Sequence, residues 1–297
     1  MENASIEHEY IKVGDVRLHA ARAGRDGAPL ILFLHGFPEF WYAWRRQLEV
    51  FGDDFLAVAP DQRGFNLSDK PESVKAYRTG VVVEDIRQLA AHCGAEKFVL
   101  VGHDWGGAAA WAFALAHPDL LRHLVILNSP HPLTFLRELR DSPAQRKASQ
   151  YFRLFRSDAA EATLSEENFA GLWRFSLKAL HTKGIMTDAD RDAYFEAWAQ
   201  PGALTGGLNW YRASPMPVPE VGADWPRMPE LDPARFTVTV PTTVIWGLRD
   251  FALKPGLLDG LEDLVTDLTL HRVEDANHWI VHQQPELVER LIRERIT

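Results

Sequence analysis

The chain has 297 residues, with 32 Lys and Arg against 41 Asp and Glu, a net charge of −9. Its 46 % hydrophobic and 25 % charged content is ordinary globular usage, and a chain of this length buries about three quarters of its unfolded surface without staples. The single cysteine, Cys93, excludes an internal disulfide framework and a Cys-based zinc knuckle, and the acidic balance argues against nucleic acid and anionic membranes as main partners. No apolar run approaches the ~18 residues of a membrane span. The acidic start, Met1 to Glu9, lacks the basic and apolar regions of a signal peptide, so a cytoplasmic location is expected.

Residues 10–20 alternate around Gly14-Asp15, with Val16, Leu18 and Ala20 on one face, which predicts a β-hairpin. Short apolar runs follow at 29–34, 55–59, 98–101, 124–127, 243–246 and 268–273, and all but the last are apolar throughout, as in parallel strands buried on both faces. Between them lie helical patterns at 79–92, at 108–117 before Pro118, and from Pro285, with Leu287, Val288, Leu291 and Ile292 on one face. This alternation predicts an α/β protein with a parallel sheet. The order breaks after Leu127. Residues 129–232 are helical and aromatic and end in Pro215, Pro217, Pro219, Pro226, Pro229 and Pro233, and the β pattern resumes at Phe236. The division expected is a core of 1–130 and 232–297 and an inserted helical cap of 131–231.

The segment Gly102-His103-Asp104-Trp105-Gly106-Gly107 joins an apolar strand to a helix. This is the pattern of a nucleophile elbow, in which small residues permit a tight turn that projects the central side chain above the sheet. The bland alternative is a glycine-rich turn with an incidental Asp; a dinucleotide turn would need G-x-G-x-x-G, which is absent. The central residue is Asp104, and that sets the chemistry. A carboxylate attacking a carbonyl gives a mixed anhydride, whereas one displacing a leaving group at saturated carbon gives an ester that water can cleave. The expected electrophile is an sp³ carbon bearing oxygen or halogen.

Such an elbow expects an acid and then a histidine further along. Asp250 follows the 243–246 strand, and His278 lies between the 268–273 strand and the last helix. His278 can act as base, with Asp250 fixing its tautomer. His117, His271 and His282 have ordinary surface or packing readings. After the 29–34 strand, His35-Gly36-Phe37-Pro38-Glu39 is placed to supply one oxyanion N–H from Phe37, with the other from Trp105, and a cis bond before Pro38 would aim the first. The 61–68 loop reads as structural, with Asn66 suited to a left-handed conformation.

These motifs resemble the epoxide hydrolase branch of the α/β-hydrolase fold superfamily. The matching segments are HGFPE at 35–39, WR at 44–45, DQRGFNLSD at 61–69, GHDWGG at 102–107, NWYR at 209–212, WGLRD at 246–250 and NHW at 277–279, in order over most of the chain. The resemblance implies an eight-stranded, mostly parallel sheet with the cap over its active end. It also implies two cap tyrosines on the epoxide oxygen, Tyr211 and Tyr151. The family usually reads Gln-x-Pro-Gly after the first tyrosine's segment, 149–155, where this chain has Arg156-Ser157-Asp158-Ala159, and Asn66 replaces a common Gly. Trp105, Phe37 and Trp210 are the expected substrate-pocket walls. The implied reaction takes a small epoxide and water, needs no metal or organic cofactor, and suits a monomer or homodimer.

A haloalkane or haloacetate dehalogenase would use the same Asp, acid and His. Trp105 suits a haloalkane dehalogenase, since its indole N–H can hold a departing halide; but a halide needs no proton, so cap tyrosines would be superfluous, Phe37 stands where that family usually has Asn, and Trp105 stands where a haloacetate dehalogenase often has Arg. A non-catalytic ligand-binding relative would usually show a broken triad, whereas Asp104, Asp250 and His278 are all present.

Overall fold

A computed structural model describes residues 5–229 and 231–296. Eight strands form one sheet: β1 (Glu7–Val13), β2 (Val16–Ala23), β3 (Leu30–Leu34), β4 (Leu56–Pro60), β5 (Phe98–His103), β6 (Leu121–Leu127), β7 (Thr242–Gly247) and β8 (Leu268–Val273). Their spatial order is β1-β2-β4-β3-β5-β6-β7-β8. The hairpin β1–β2 is antiparallel and pairs β2 antiparallel to β4, and every later pairing is parallel.

Strands β3, β4, β5 and β7 are wholly buried because helices cover both faces, whereas the edge strand β8 is only half-buried. Successive side chains of a strand point to opposite faces. Leu30, Leu32 and Leu34 therefore pack in one layer with α2 (Thr79–His92) and α3 (Trp105–Ala116), through Val82, Ile86, Ala110 and Phe113. Ile31 and Phe33 pack in the other with α1 (Arg45–Phe51) and the last helix, through Leu48, Phe51, Val288 and Ile292. Each such buried side chain contributes about 1.5–3 kcal/mol relative to exposure.

From β3 the chain runs outward to β4, then crosses back so that β5 lies on the other side of β3. The carboxyl ends of β3 and β5 thus flank the point where the winding reverses, the usual place for a ligand crevice in an open α/β sheet.

Between β6 and β7 the described residues hold seven helices and no strand: α4 (Pro132–Asp141), α5 (Pro143–Ala148), α6 (Tyr151–Arg156), α7 (Ala160–Phe175, broken at 166–169), α8 (Lys178–Thr182), α9 (Asp188–Ala199) and α10 (Ala203–Ala213). Two short helices close the chain, α11 (Ile280–Gln283) and α12 (Pro285–Ile296). The insertion is fastened to the sheet domain at several points. Arg45 and the Tyr42 hydroxyl reach Asp190 of α9 at 2.7 and 3.0 Å, and the Trp198 indole donates to Pro38 O at 2.6 Å. Helix α10 lies on the 61–69 loop so closely that a Cβ on Gly206 would strike the backbone of Gly64, itself at φ +92°. Asn66 adopts φ 40°, as its sequence setting suggested.

Two expectations are adjusted. Helix α3 begins at Trp105, not 108, because the glycines after Asp104 let the helix start at once. The resumption of β structure at Phe236 is a single bridge, Val238 to Val265, and the strand proper starts at Thr242, after Pro241, which has no N–H for the ladder. Among the described residues no helix is long and apolar enough to cross a membrane.

Candidate active site

Asp104 occupies the turn between β5 and α3 with φ 51° and ψ −120°, a conformation rarely adopted by a residue with a side chain. The turn survives because its surroundings leave no alternative. Gly36 has no room for a Cβ against the Asp104 side chain, and a Cβ on Gly106 would strike Leu34 O. Ser129 Oγ donates to Asp104 O at 2.7 Å, and Ala108 N to the same oxygen at 2.9 Å.

Asp250 and His278 arrive from the ends of β7 and β8. His278 Nδ1 lies 2.8 Å from Asp250 Oδ2, and its Nε2 faces Asp104 Oδ2 at 3.6 Å. Asp250 is held from every side. Its Oδ1 accepts from Ala252 N at 2.8 Å and Leu253 N at 2.9 Å, and its Oδ2 also accepts from Asn128 Nδ2 at 2.7 Å. Burial pushes the Asp250 carboxyl up, but the His278 charge and hydrogen bond and the two N–H groups outweigh it and hold the carboxyl below its ordinary value. For His278 burial disfavours the charged ring. The Asp250 charge and hydrogen bond, joined by the charges of Asp104 and Glu39, prevail and push it up to about 9.

Phe37 N donates to Asp104 Oδ1 at 2.9 Å, and the Phe37–Pro38 bond is cis, as expected from the sequence. Trp105 N opens α3, where the first N–H groups of a helix have no intrahelical acceptor.

Tyr151 and Tyr211 come from different helices, α6 and α10, yet their rings meet edge to face with centroids 6.0 Å apart. The Trp105 ring packs against Tyr211 at 4.9 Å. Burial, and then the charge of Asp104, raise both phenols well above their ordinary range, with Asp250 adding to Tyr151 and the Trp105 indole opposing the shift at Tyr211. Both are neutral hydrogen-bond donors at neutral pH.

A cavity of about 290 Å³ opens beside Asp104 and Tyr151. Its walls are mostly apolar: Trp105, Ala112 and Leu115 of α3, Phe135 of α4, Phe152 of α6 and Met216. Of the expected walls, Trp105 lines this cavity; Phe37 and Trp210 do not. Phe37 is buried edge-on between Phe155 and Tyr211, with rings 5.4 Å away on each side. Trp210 turns toward the sheet domain, where its indole donates to Arg63 O at 3.0 Å. On α10, Tyr211 is turned toward Trp105 and Tyr151, and its neighbour Trp210 serves docking.

Three groups escaped the sequence reading. Asn128, at φ 38° and wholly buried, holds Asp250 and also accepts from Gly247 N at 2.8 Å. Its signal was an Asn directly after a buried strand. Glu39 and His103 lie within the quoted motifs but received no role. His103 bridges Glu39 Oε2 at 3.0 Å and the backbone carbonyl of His278 at 2.8 Å. His282 Nε2 and the Tyr194 hydroxyl complete the ring around Glu39 at 2.6 and 3.2 Å. Burial pushes Glu39 up, but the two histidines hold it ionised, well below the ordinary carboxylate value. The third group is Arg156, which grips the end of α10.

With this geometry established, similarity to known proteins is informative. A family model described as the alpha/beta hydrolase fold matches residues 29–285. The AB hydrolase superfamily protein YfhM of Bacillus subtilis is 38 % identical over 291 residues, covering 97 % of each chain. Epoxide hydrolase 4 of Homo sapiens is 34 % identical, covering 96 % of this chain and 77 % of the human protein. The crystal structure of an epoxide hydrolase of Bacillus megaterium with an inhibitor superimposes with a TM-score of 0.87 at 35 % identity, covering 97 % and 99 % of the two chains. The chain therefore belongs to the α/β-hydrolase fold family, among its epoxide hydrolases.

Proposed function

We propose that this protein hydrolyses lipophilic epoxides to vicinal diols through a covalent ester on Asp104. The observation that carries the reading is the meeting of two neutral phenols, Tyr151 and Tyr211, beside the carboxylate of Asp104 and an apolar cavity. An epoxide opens to an alkoxide, which leaves poorly without a proton donor, and neutral tyrosines supply one at neutral pH.

In this reading the helical insertion, 131–231, acts as a cap, and the epoxide binds between it and the sheet domain with its oxygen on the two phenols. Asp104 attacks one ring carbon; the C–O bond breaks and the oxygen takes a proton from a tyrosine. The ester that forms is neutral, so one of the charges that keep His278 protonated is gone. His278 passes its proton to the tyrosine, which restores the neutral phenol, and becomes a base. It then deprotonates water, which attacks the Asp104 carboxyl carbon. The tetrahedral oxyanion rests on the N–H groups of Phe37 and Trp105, with Asp250 stabilising the imidazolium. Collapse breaks the ester C–O bond, and the leaving alkoxide takes the remaining proton of the added water, which frees the diol and regenerates the Asp104 carboxylate. The proton count closes: ester formation takes up one proton, and hydrolysis returns one to His278.

The apolar wall of Leu115, Phe135 and Met216 favours an aryl or alkyl substituent, since 290 Å³ is at the small end of ligand pockets. A monomer or a homodimer and a cytoplasmic setting belong to the same reading. The dehalogenase alternative would leave both phenols idle. Styrene oxide and 1-bromobutane, offered separately, discriminate the two: diol without bromide, lost in Asp104→Ala, is expected. Bromide without diol would transfer the assignment to dehalogenation.

A further inference from the structure

Arg156 is the last residue of α6, which carries Tyr151, and its side chain crosses to the far end of α10, which carries Tyr211. Its Nε donates to Tyr211 O at 2.9 Å, and its Nη2 to Ser214 O at 3.2 Å and Met216 O at 2.9 Å. The guanidinium carbon also stands 5.2 Å over the Phe152 ring. The group is partly buried, and burial lowers its pKa with no carboxylate as counterweight.

Of the carbonyls it meets, that of Tyr211 lies in the last turn of α10 and needs a donor. The last four C=O groups of a helix have no intrahelical partner, and an N–H from the chain just beyond usually serves them. Here the chain leaving α10 reads Ser214-Pro215-Met216-Pro217, and its two prolines have no N–H to give. A cation at a helix C-terminus is favoured by the helix dipole as well. A second strap runs the other way: Arg212 of α10 pairs with both oxygens of Glu161 at 2.7 Å and donates to Ser157 O at 3.3 Å. Ser214, Pro215 and Met216 line the cavity. The guanidinium therefore fixes two things together, the backbone of Tyr211 and one cavity wall.

We propose that Arg156 is a positioning residue for epoxide opening: by tying the end of α10 to α6 it sets the separation of the Tyr151 and Tyr211 phenols so that both reach one oxygen. This rests on the function proposed above. The chain carries Arg where the resembling family usually has Gln, so the strap is a property of this sequence and its proline-rich exit from α10.

The test is a double-mutant cycle on single-turnover kinetics, with ester formation and ester hydrolysis followed separately on styrene oxide. Arg156→Met is expected to slow ester formation roughly tenfold, since misplacement by about 1 Å can cost up to ~100-fold, and to leave ester hydrolysis within about twofold. Arg156→Lys, which keeps a donor at the carbonyls, should recover part of the loss. In a Tyr211→Phe background the further effect of Arg156→Met should shrink to about twofold or less, because coupled residues are not additive. Equal slowing of both steps, or the same tenfold loss in both backgrounds, would overturn the proposal. If Arg156→Met does not fold, Arg156→Gln is read in the same cycle with the same criteria. A wild-type enzyme inert toward epoxides would instead defeat the function it rests on.

Discussion

Asp104, Asp250 and His278 stand at the carboxyl ends of three strands of one sheet, and each is fixed by hydrogen bonds to backbone or buried polar groups. Asp250 alone accepts from Ala252, Leu253 and Asn128 in addition to facing His278. Tyr151 and Tyr211 stand on helices of the insertion and are fixed by ring edges and by one arginine. The difference separates two demands. Proton transfer between His278 and its neighbours needs geometry fixed to fractions of an ångström, which strand ends supply. In the function proposed above, the donors to the epoxide stand on packed helices, so the wall beside them can differ without disturbing the carboxylates at the strand ends.

If the two regions serve separate steps, variants should divide along the same line. His278→Gln should make the largest break, lowering steady-state turnover by at least ~10³-fold as expected for loss of a general base. Ester should accumulate, read by intact mass as the protein plus one substrate; normal turnover would refute the base assignment. Tyr211→Phe should cut ester formation by about 10²–10³-fold while hydrolysis changes little, as for removal of one of two oxyanion donors. The reverse pattern would move Tyr211 to the hydrolytic half.

The smallest effect is on stability. A histidine whose folded pKa is raised from 6.5 to about 9 stabilises the fold fully below its unfolded value and loses that contribution as pH rises through 9. The wild-type melting temperature should thus fall between pH 6.5 and 9.5 by roughly 2–5 °C more than that of His278→Gln. Parallel curves would mean that His278 is not held protonated by its neighbours.

Much of the strand-end half could be read in the sequence because buried parallel strands announce themselves as apolar runs. Whatever directly follows such a run stands at the edge where ligands bind. Asp104, Asp250 and Phe37 follow that logic, whereas His278, beyond the half-buried β8, was found from its order after the acid and its place before the last helix. The helical half was only partly readable. Tyr211 came from its motif, but helical position did not separate it from Trp210, since adjacent residues on a helix face about 100° apart and only the docking surface decides which one packs against Trp105 and Tyr151 and which one bonds to the 61–69 loop. Arg156 could be seen to depart from the family pattern, yet its target, a trio of carbonyls more than fifty residues away, exists only once α6 and α10 are packed. The Glu39 ring was hidden for the same reason: its members are unremarkable until the fold brings them together.

That ring bears on how the molecule comes into being. Glu39 meets His103, Tyr194 and His282, partners separated from it by 64, 155 and 243 positions. Contacts so distant along the chain form late, since long loops must close first. The carbonyl of His278 hangs on the same network through His103. On refolding, activity should therefore return no earlier than these contacts form.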